Sequence, residues 1–202
     1  MNIKKTQAGL GRGVLVALLA VFLAACAAKL TKVETGEVVI KERLMVKTDS
    51  AWNQFDEGLV SKVPTWTKEG VTIDSLSFFV GIKDGEVLLP LASSDKGIAP
   101  PIFKATMQPE ELVSLYQSVL TRDGSTFVVK RIEPADFLGG KGFRVEFVLT
   151  RKLDDVRLQG LAYGAVKAGQ FHMISFVAPR LRFFDQYAPQ AEAIAKSARL
   201  RG

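Results

Sequence analysis

The sequence has one cysteine, Cys26, and one histidine, His172, in 202 residues. A lone thiol rules out an internal disulfide, so stability has to come from an apolar core. One imidazole and one thiol supply a Cys/His metal site poorly. No serine elbow G-x-S-x-G and no P-loop pattern occurs. Lysine and arginine never cluster into a run, and aromatic residues do not interleave with them, so nothing points to nucleic acid. No acidic residue precedes Glu34. These absences leave no catalytic residues, cofactor or metal site to name, and they move attention to the N-terminus.

The first residues are basic (Lys4, Lys5, Arg12), and an apolar run from Val14 to Ala28 follows. A secretory signal has this order: a positive start, an apolar stretch and small residues before the cut. The run is shorter than the roughly 20 residues a spanning helix needs. It ends in Leu23-Ala24-Ala25-Cys26, which resembles the lipobox of bacterial lipoproteins. That resemblance implies cleavage before Cys26, diacylglycerol on its thiol and acylation of the new amine. Cys26 is therefore the candidate lipidation site, and membrane lipid is the expected contact of its acyl chains. Ala27 replaces the aspartate that resembles the inner-membrane retention signal. The implied destination is the inner leaflet of the outer membrane, facing the periplasm. Each buried methylene contributes about 0.8 kcal/mol, so two or three acyl chains would hold the protein stably.

The expected organisation is a signal peptide over 1–25, a lipidated tether over 26–36 and a single domain over 37–202. Removing Lys4, Lys5 and Arg12 lowers the net charge from +6 to +3, which further weakens any case for nucleic acid. Glu37 to Lys47 predicts the first strand, with a bulge or bend at Lys41-Glu42-Arg43. Trp52 and Phe55 are expected at the domain edge. Leu76 to Ile82, the turn Lys83-Asp84-Gly85-Glu86 and Val87 to Leu91 predict a hairpin. Ala92 to Lys104 predicts an irregular loop and a candidate binding surface.

Pro109, Glu110 and Glu111 suit the start of a helix whose apolar face is Leu112, Val113, Tyr116, Val119 and Leu120. Strands are then predicted at Thr126–Glu133, Phe143–Leu149, Val156–Lys167 and Phe171–Ala178, the last three as an antiparallel meander. Gly160 and Gly164 soften the third of these. Pro179 ends the last strand, and Phe184 to Ala198 predicts a helix with Pro189 in its first turn. The fold class is thus α+β: an antiparallel sheet with a central helix and a C-terminal helix packed on it.

Some residues resemble chemistry without its context. Gly139-Gly140-Lys141-Gly142 precedes a strand rather than a helix, so it reads as an inter-strand turn. Asp154-Asp155 reads as a solvated turn tip. His172 shares a strand face with Ile174 and Phe176 and reads as structural or surface. Arg144 and Glu146 share a face and read as a cross-strand charge pattern.

The order of elements, with Gly142-Phe143-Arg144-Val145-Glu146-Phe147, Tyr163-Gly164-Ala165-Val166, Phe171 to Pro179 and Ile194 to Arg199, is similar to the PsbP/Mog1-like α/β/α sandwich over residues 105–200. That family implies a small accessory or binding domain and supplies no site residue. The function expected is a membrane-anchored periplasmic lipoprotein, a non-enzymatic binding or accessory domain with an envelope protein as partner. Two alternatives stand. A carrier of an apolar or lipid-like ligand requires a continuous cavity of about 300 Å³ or more. A hydrolase requires titratable groups around His172 in a cleft.

Overall fold

The computed structural model describes residues 30–55, 63–89 and 100–201. In chain order the elements are β1 (Leu30–Val33), β2 (Gly36–Ile40), β3 (Leu44–Thr48), β4 (Trp52–Phe55), β5 (Thr65–Thr67), β6 (Ser75–Lys83), α1 (Pro109–Leu120), β7 (Thr126–Phe137), β8 (Gly140–Thr150), β9 (Arg157–Lys167), β10 (Gln170–Pro179), α2 (Asp185–Ser197) and β11 (Arg199–Leu200). Eight strands form one antiparallel sheet in the order β1-β4-β5-β6-β10-β9-β8-β7, and β11-β3-β2 form a small second sheet. The structure agrees with the expected α+β class and is dominated by sheet.

Period-2 alternation sets the two faces. On β8, Phe143, Val145, Phe147 and Leu149 are buried while the residues between them are half-buried. Those four side chains meet Leu112, Val113 and Tyr116 of α1 in one apolar layer. On the opposite face Trp66, Phe78, Ile174 and Phe176 pack under α2 and the small sheet, against Ala191, Ile194, Leu44 and Val46. Each large side chain buried this way contributes roughly 1.5–3 kcal/mol. The start of α1 follows its sequence signals. Pro109 opens it, and the Gln108 amide donates to the Glu111 carboxylate at 2.7 Å.

Several expectations are corrected. Leu30–Val33, inside the expected 26–36 tether, is an edge strand paired with β4. The single strand expected over Glu37–Lys47 is a hairpin, because Lys41 and Glu42 both take left-handed backbone (φ 48° and 55°) and reverse the chain. Trp52 belongs to the core rather than the edge, at 1% exposure, since β4 is covered by α2.

The turn after β6 forms, with the Glu86 amide donating to the Lys83 carbonyl, but no returning strand pairs with β6. β6 pairs with β10 along one edge and with β5 at Leu76 and Ser77 on the other, and Val87 bridges to Ile102 instead. Pro90 to Ile98 and Ala99, with most of the Ala92–Lys104 loop, lie outside the described residues. Within its remainder, Phe103 is fully buried and stacks on Phe171 at 5.7 Å. Pro189 is not in the first turn: α2 starts at Asp185, so Pro189 is its fifth residue. Phe184, stacked on Phe176 at 5.8 Å, anchors the chain just before the helix, so Pro189 falls beyond its first turn.

Candidate functional site

Cover on the α2 side of the sheet is incomplete. Val128, Val148, Gln159 and Ala178 stand side by side across β7, β8, β9 and β10. Ala178 is buried, Val148 and Gln159 are half-buried, and Val128 is 49% exposed. An open groove of about 550 Å³ lies at this corner, lined among others by Lys130, Glu146, Val148, Arg157, Arg180 and Leu181.

Local structure places each cation. A bulge between Val129 and Arg131 takes Lys130 out of register with β8. Arg157 is the first residue of β9, opposite Thr150. Pro179 ends β10, and Phe184 is buried again five positions on. Between those anchors the backbone leaves helical geometry, with Leu181 at ψ 106° and Arg182 at φ 88°. Arg180, Leu181 and Arg182 are thus pushed outward, and Leu181 is 89% exposed. Among the described residues, the side chains of Lys130, Arg157 and Arg180 have no ion-pair or hydrogen-bond partner.

The groove's one carboxylate, Glu146, is taken. It binds Arg144 at 2.7 Å, and Arg144 also holds Glu192 of α2 at 2.7 Å and Glu133 at 3.2 Å. Burial works against the Arg144 charge, yet its bonds to Glu146 and Glu192 outweigh that and hold the guanidinium above its ordinary pKa. The cross-strand pattern expected for Arg144 and Glu146 therefore extends to α2. The three unpaired cations leave the groove positive, and a concave apolar floor strengthens their field.

Other sequence candidates fall elsewhere. Cys26 lies outside the described residues. Gly139 sits in the turn joining β7 to β8, whereas Gly140, Lys141 and Gly142, expected in the same turn, are already paired with β7 as the start of β8. Asp154 is held by Arg151 in a two-pronged ion pair, and Asp155 is exposed at the same tip. His172 is fully buried, with its Nδ1 accepting the Gly81 amide hydrogen at 3.2 Å. Burial, with the charges of Arg43 and Lys167, lowers its pKa to about 4.

A second polar cluster was not foreseen. Lys68 donates to Ser50 Oγ at 2.8 Å and to the Ala51 carbonyl, and lies 4.5 Å from the Trp52 ring centre. Burial lowers its pKa, partly offset by Asp74. Ser50 Oγ donates onward to Gln190, so these bonds staple the β3–β4 turn to α2 and β5. An apolar pocket beside α1, lined by Val63, Phe79, Tyr116 and Val177 among others, holds about 210 Å³. That is below the roughly 300 Å³ at which ligand sites begin. Among the described residues no three metal-ligating side chains converge.

No protein-family model matches the chain, and no curated protein matches it. The architecture is PsbP-like. It is similar to the solution structure of cyanobacterial PsbP (CyanoP) from Synechocystis sp. PCC 6803, with a TM-score of 0.55 and 14% identity, covering 88% of this chain and 95% of that one. The likeness reaches well beyond residues 105–200, so the earlier half belongs to the same fold. At this identity it defines the fold and nothing finer.

Proposed function

We propose that the protein is a lipid-anchored envelope lipoprotein whose domain binds a partner protein and performs no chemistry of its own. The lipobox at Leu23-Ala24-Ala25-Cys26 supports the anchor. The groove carries the binding part of the reading: three cations face it without partners, whereas the buried polar clusters at Arg144, Lys68 and His172 are engaged in holding the fold.

The early start of β1 adds a geometric consequence. Only Ala27, Ala28 and Lys29 separate Cys26 from Leu30, so at about 3.6 Å per residue the lipidated residue lies within roughly 15 Å of the β1 edge. The domain would then sit close against the bilayer through that edge rather than swing on a long leash.

Intact mass and membrane fractionation of the wild type and Cys26→Ser test the anchor. The expected wild-type species begins at Cys26, carries acyl mass and sediments with outer membranes, while Cys26→Ser is unacylated and leaves that fraction. Equal solubility of two unmodified proteins would overturn the reading.

A further inference from the structure

We propose that the groove between β7 and Arg180 binds an extended acidic segment of a partner protein, its carboxylates meeting Lys130, Arg157 and Arg180. This deepens the binding reading above and rests on it for the choice of a protein occupant.

Charge complementarity sets the sign. The side chains of the three cations have no partners within the described chain, and the one acidic residue lining the groove, Glu146, is paired with Arg144, which it shares with Glu192 and Glu133. Spacing sets the shape. Lys130 lies on β7 and Arg180 leaves the end of β10, three strands away. At about 4.8 Å per strand the cations are spread over roughly 14 Å, about four residues of extended chain at 3.3 Å each. A single small anion cannot reach all three, whereas alternate carboxylates on an extended peptide can. On an extended chain the residues between them point away from the groove, so the apolar surface of Val148 and the exposed Leu181 meets the methylene stems of the acidic side chains.

Two features argue for this mode over its rivals. The bulge at Lys130, the charge of Arg131 and Pro134 all blunt the outer edge of β7, so strand addition there is disfavoured. The groove also spans β10 to β7, four to seven strand spacings from β1, or about 19 to 34 Å along the sheet. An anchor beside β1 keeps the groove off the headgroups and open to a protein.

The test uses the full acylated chain in detergent micelles. The probe is a fluorescein-labelled hexapeptide with glutamate at alternate positions and serine between them, followed by fluorescence anisotropy. Wild-type protein should bind it, and binding should weaken as salt rises. Arg157→Glu and Arg180→Glu should each weaken it about tenfold or more, because each removes a charge-assisted contact and adds a repulsive one. Lys47→Glu makes the same charge change on exposed β3 and should leave it unaltered. Circular dichroism should be unchanged in the groove variants, since those side chains hold nothing in the fold.

Absence of binding to wild type, or equal binding by the reversed variants, overturns the proposal. So does complete competition by inorganic phosphate at matched ionic strength, which would make the groove a simple anion site. Binding of phosphatidylglycerol vesicles through Arg157 and Arg180 without peptide binding would make it a headgroup site instead. The acyl groups take no part in the peptide assay. A negative result here therefore leaves the Cys26 anchor standing, and loss of the anchor leaves a positive result here intact.

Discussion

Gly160→Ala is expected to destabilise the domain by about 3 kcal/mol, read as a lower midpoint in chemical denaturation. A methyl group at Gly160 would lie 2.3 Å from the Phe147 ring, far inside any real contact. The ring has nowhere to go. It is fully buried, stacked on Phe127 at 4.4 Å and met edge-on by Tyr116 at 5.9 Å. Close-packed interiors yield little to such intrusions. Gly164 makes the same seat for Phe143, with the added methyl 2.6 Å from that ring. Phe147→Leu alone should cost on the order of 1–3 kcal/mol. Combined with Gly160→Ala it should cost less than the sum of the two, because the smaller side chain vacates the space the methyl needs. Strict additivity would show that the ring does not sit on Gly160.

His172→Ala is expected to cost about 3 kcal/mol or more, through a cavity and an orphaned amide. On β6, Val80 and Gly81 together stand opposite His172, because pairing shifts by one residue between Phe171–Ile82 and Met173–Phe79. Gly81 takes φ 69°, a backbone angle that glycine adopts without penalty. Its amide leaves the ladder at this bulge, and His172 Nδ1 accepts it at 3.2 Å. The side chain thus replaces a lost strand–strand hydrogen bond. Nδ1 must be unprotonated to accept, which assigns the proton of the neutral ring to Nε2.

The pH dependence follows from that requirement. The native pKa of about 4 lies below the ordinary 6.5, so the native state disfavours the proton. Above about pH 6.5 neither state is protonated and the contribution is complete. As pH falls from 6.5 towards 4 the unfolded chain gains a proton that the native chain refuses, and stability drops by up to about 3 kcal/mol. Arg43 and Lys167 are the charged groups that reinforce burial here. His172→Asn places an amide oxygen near the Nδ1 position. It should recover part of the stability lost in His172→Ala and remove this slope between pH 4 and 6.5. An identical slope in wild type and His172→Asn would assign the titration to other groups.

Much of the fold was legible because its signals are local. The alternation of Phe143, Val145, Phe147 and Leu149 requires a strand with one buried face. Pro109, Glu110 and Glu111 require a helix start. Turn residues between 143 and 178 require neighbouring antiparallel strands, and the β8-β9-β10 meander is what they form. The reversal at Lys41-Glu42 was not legible, because charged residues in left-handed backbone lack the usual Asn-Gly signature. Gly160 and Gly164 read as weak points in a strand and proved to be seats for two rings. The identity of what lies across from a glycine is a register fact, set by another strand.

The groove marks the same boundary. Lys130, Arg157 and Arg180 are far apart in the chain, and no spacing rule joins them. By itself the sequence determined the lipobox expectation, the α+β class, most strands and both helices, because propensity, capping and periodicity act over a few residues. Tertiary structure alone decided that β10 lies between β6 and β9, that α2 and the small sheet cover only part of one face, and that three cations gather where the cover stops. Those outcomes depend on long-range pairing and on which apolar faces meet, and periodicity records that a face is buried without recording what buries it.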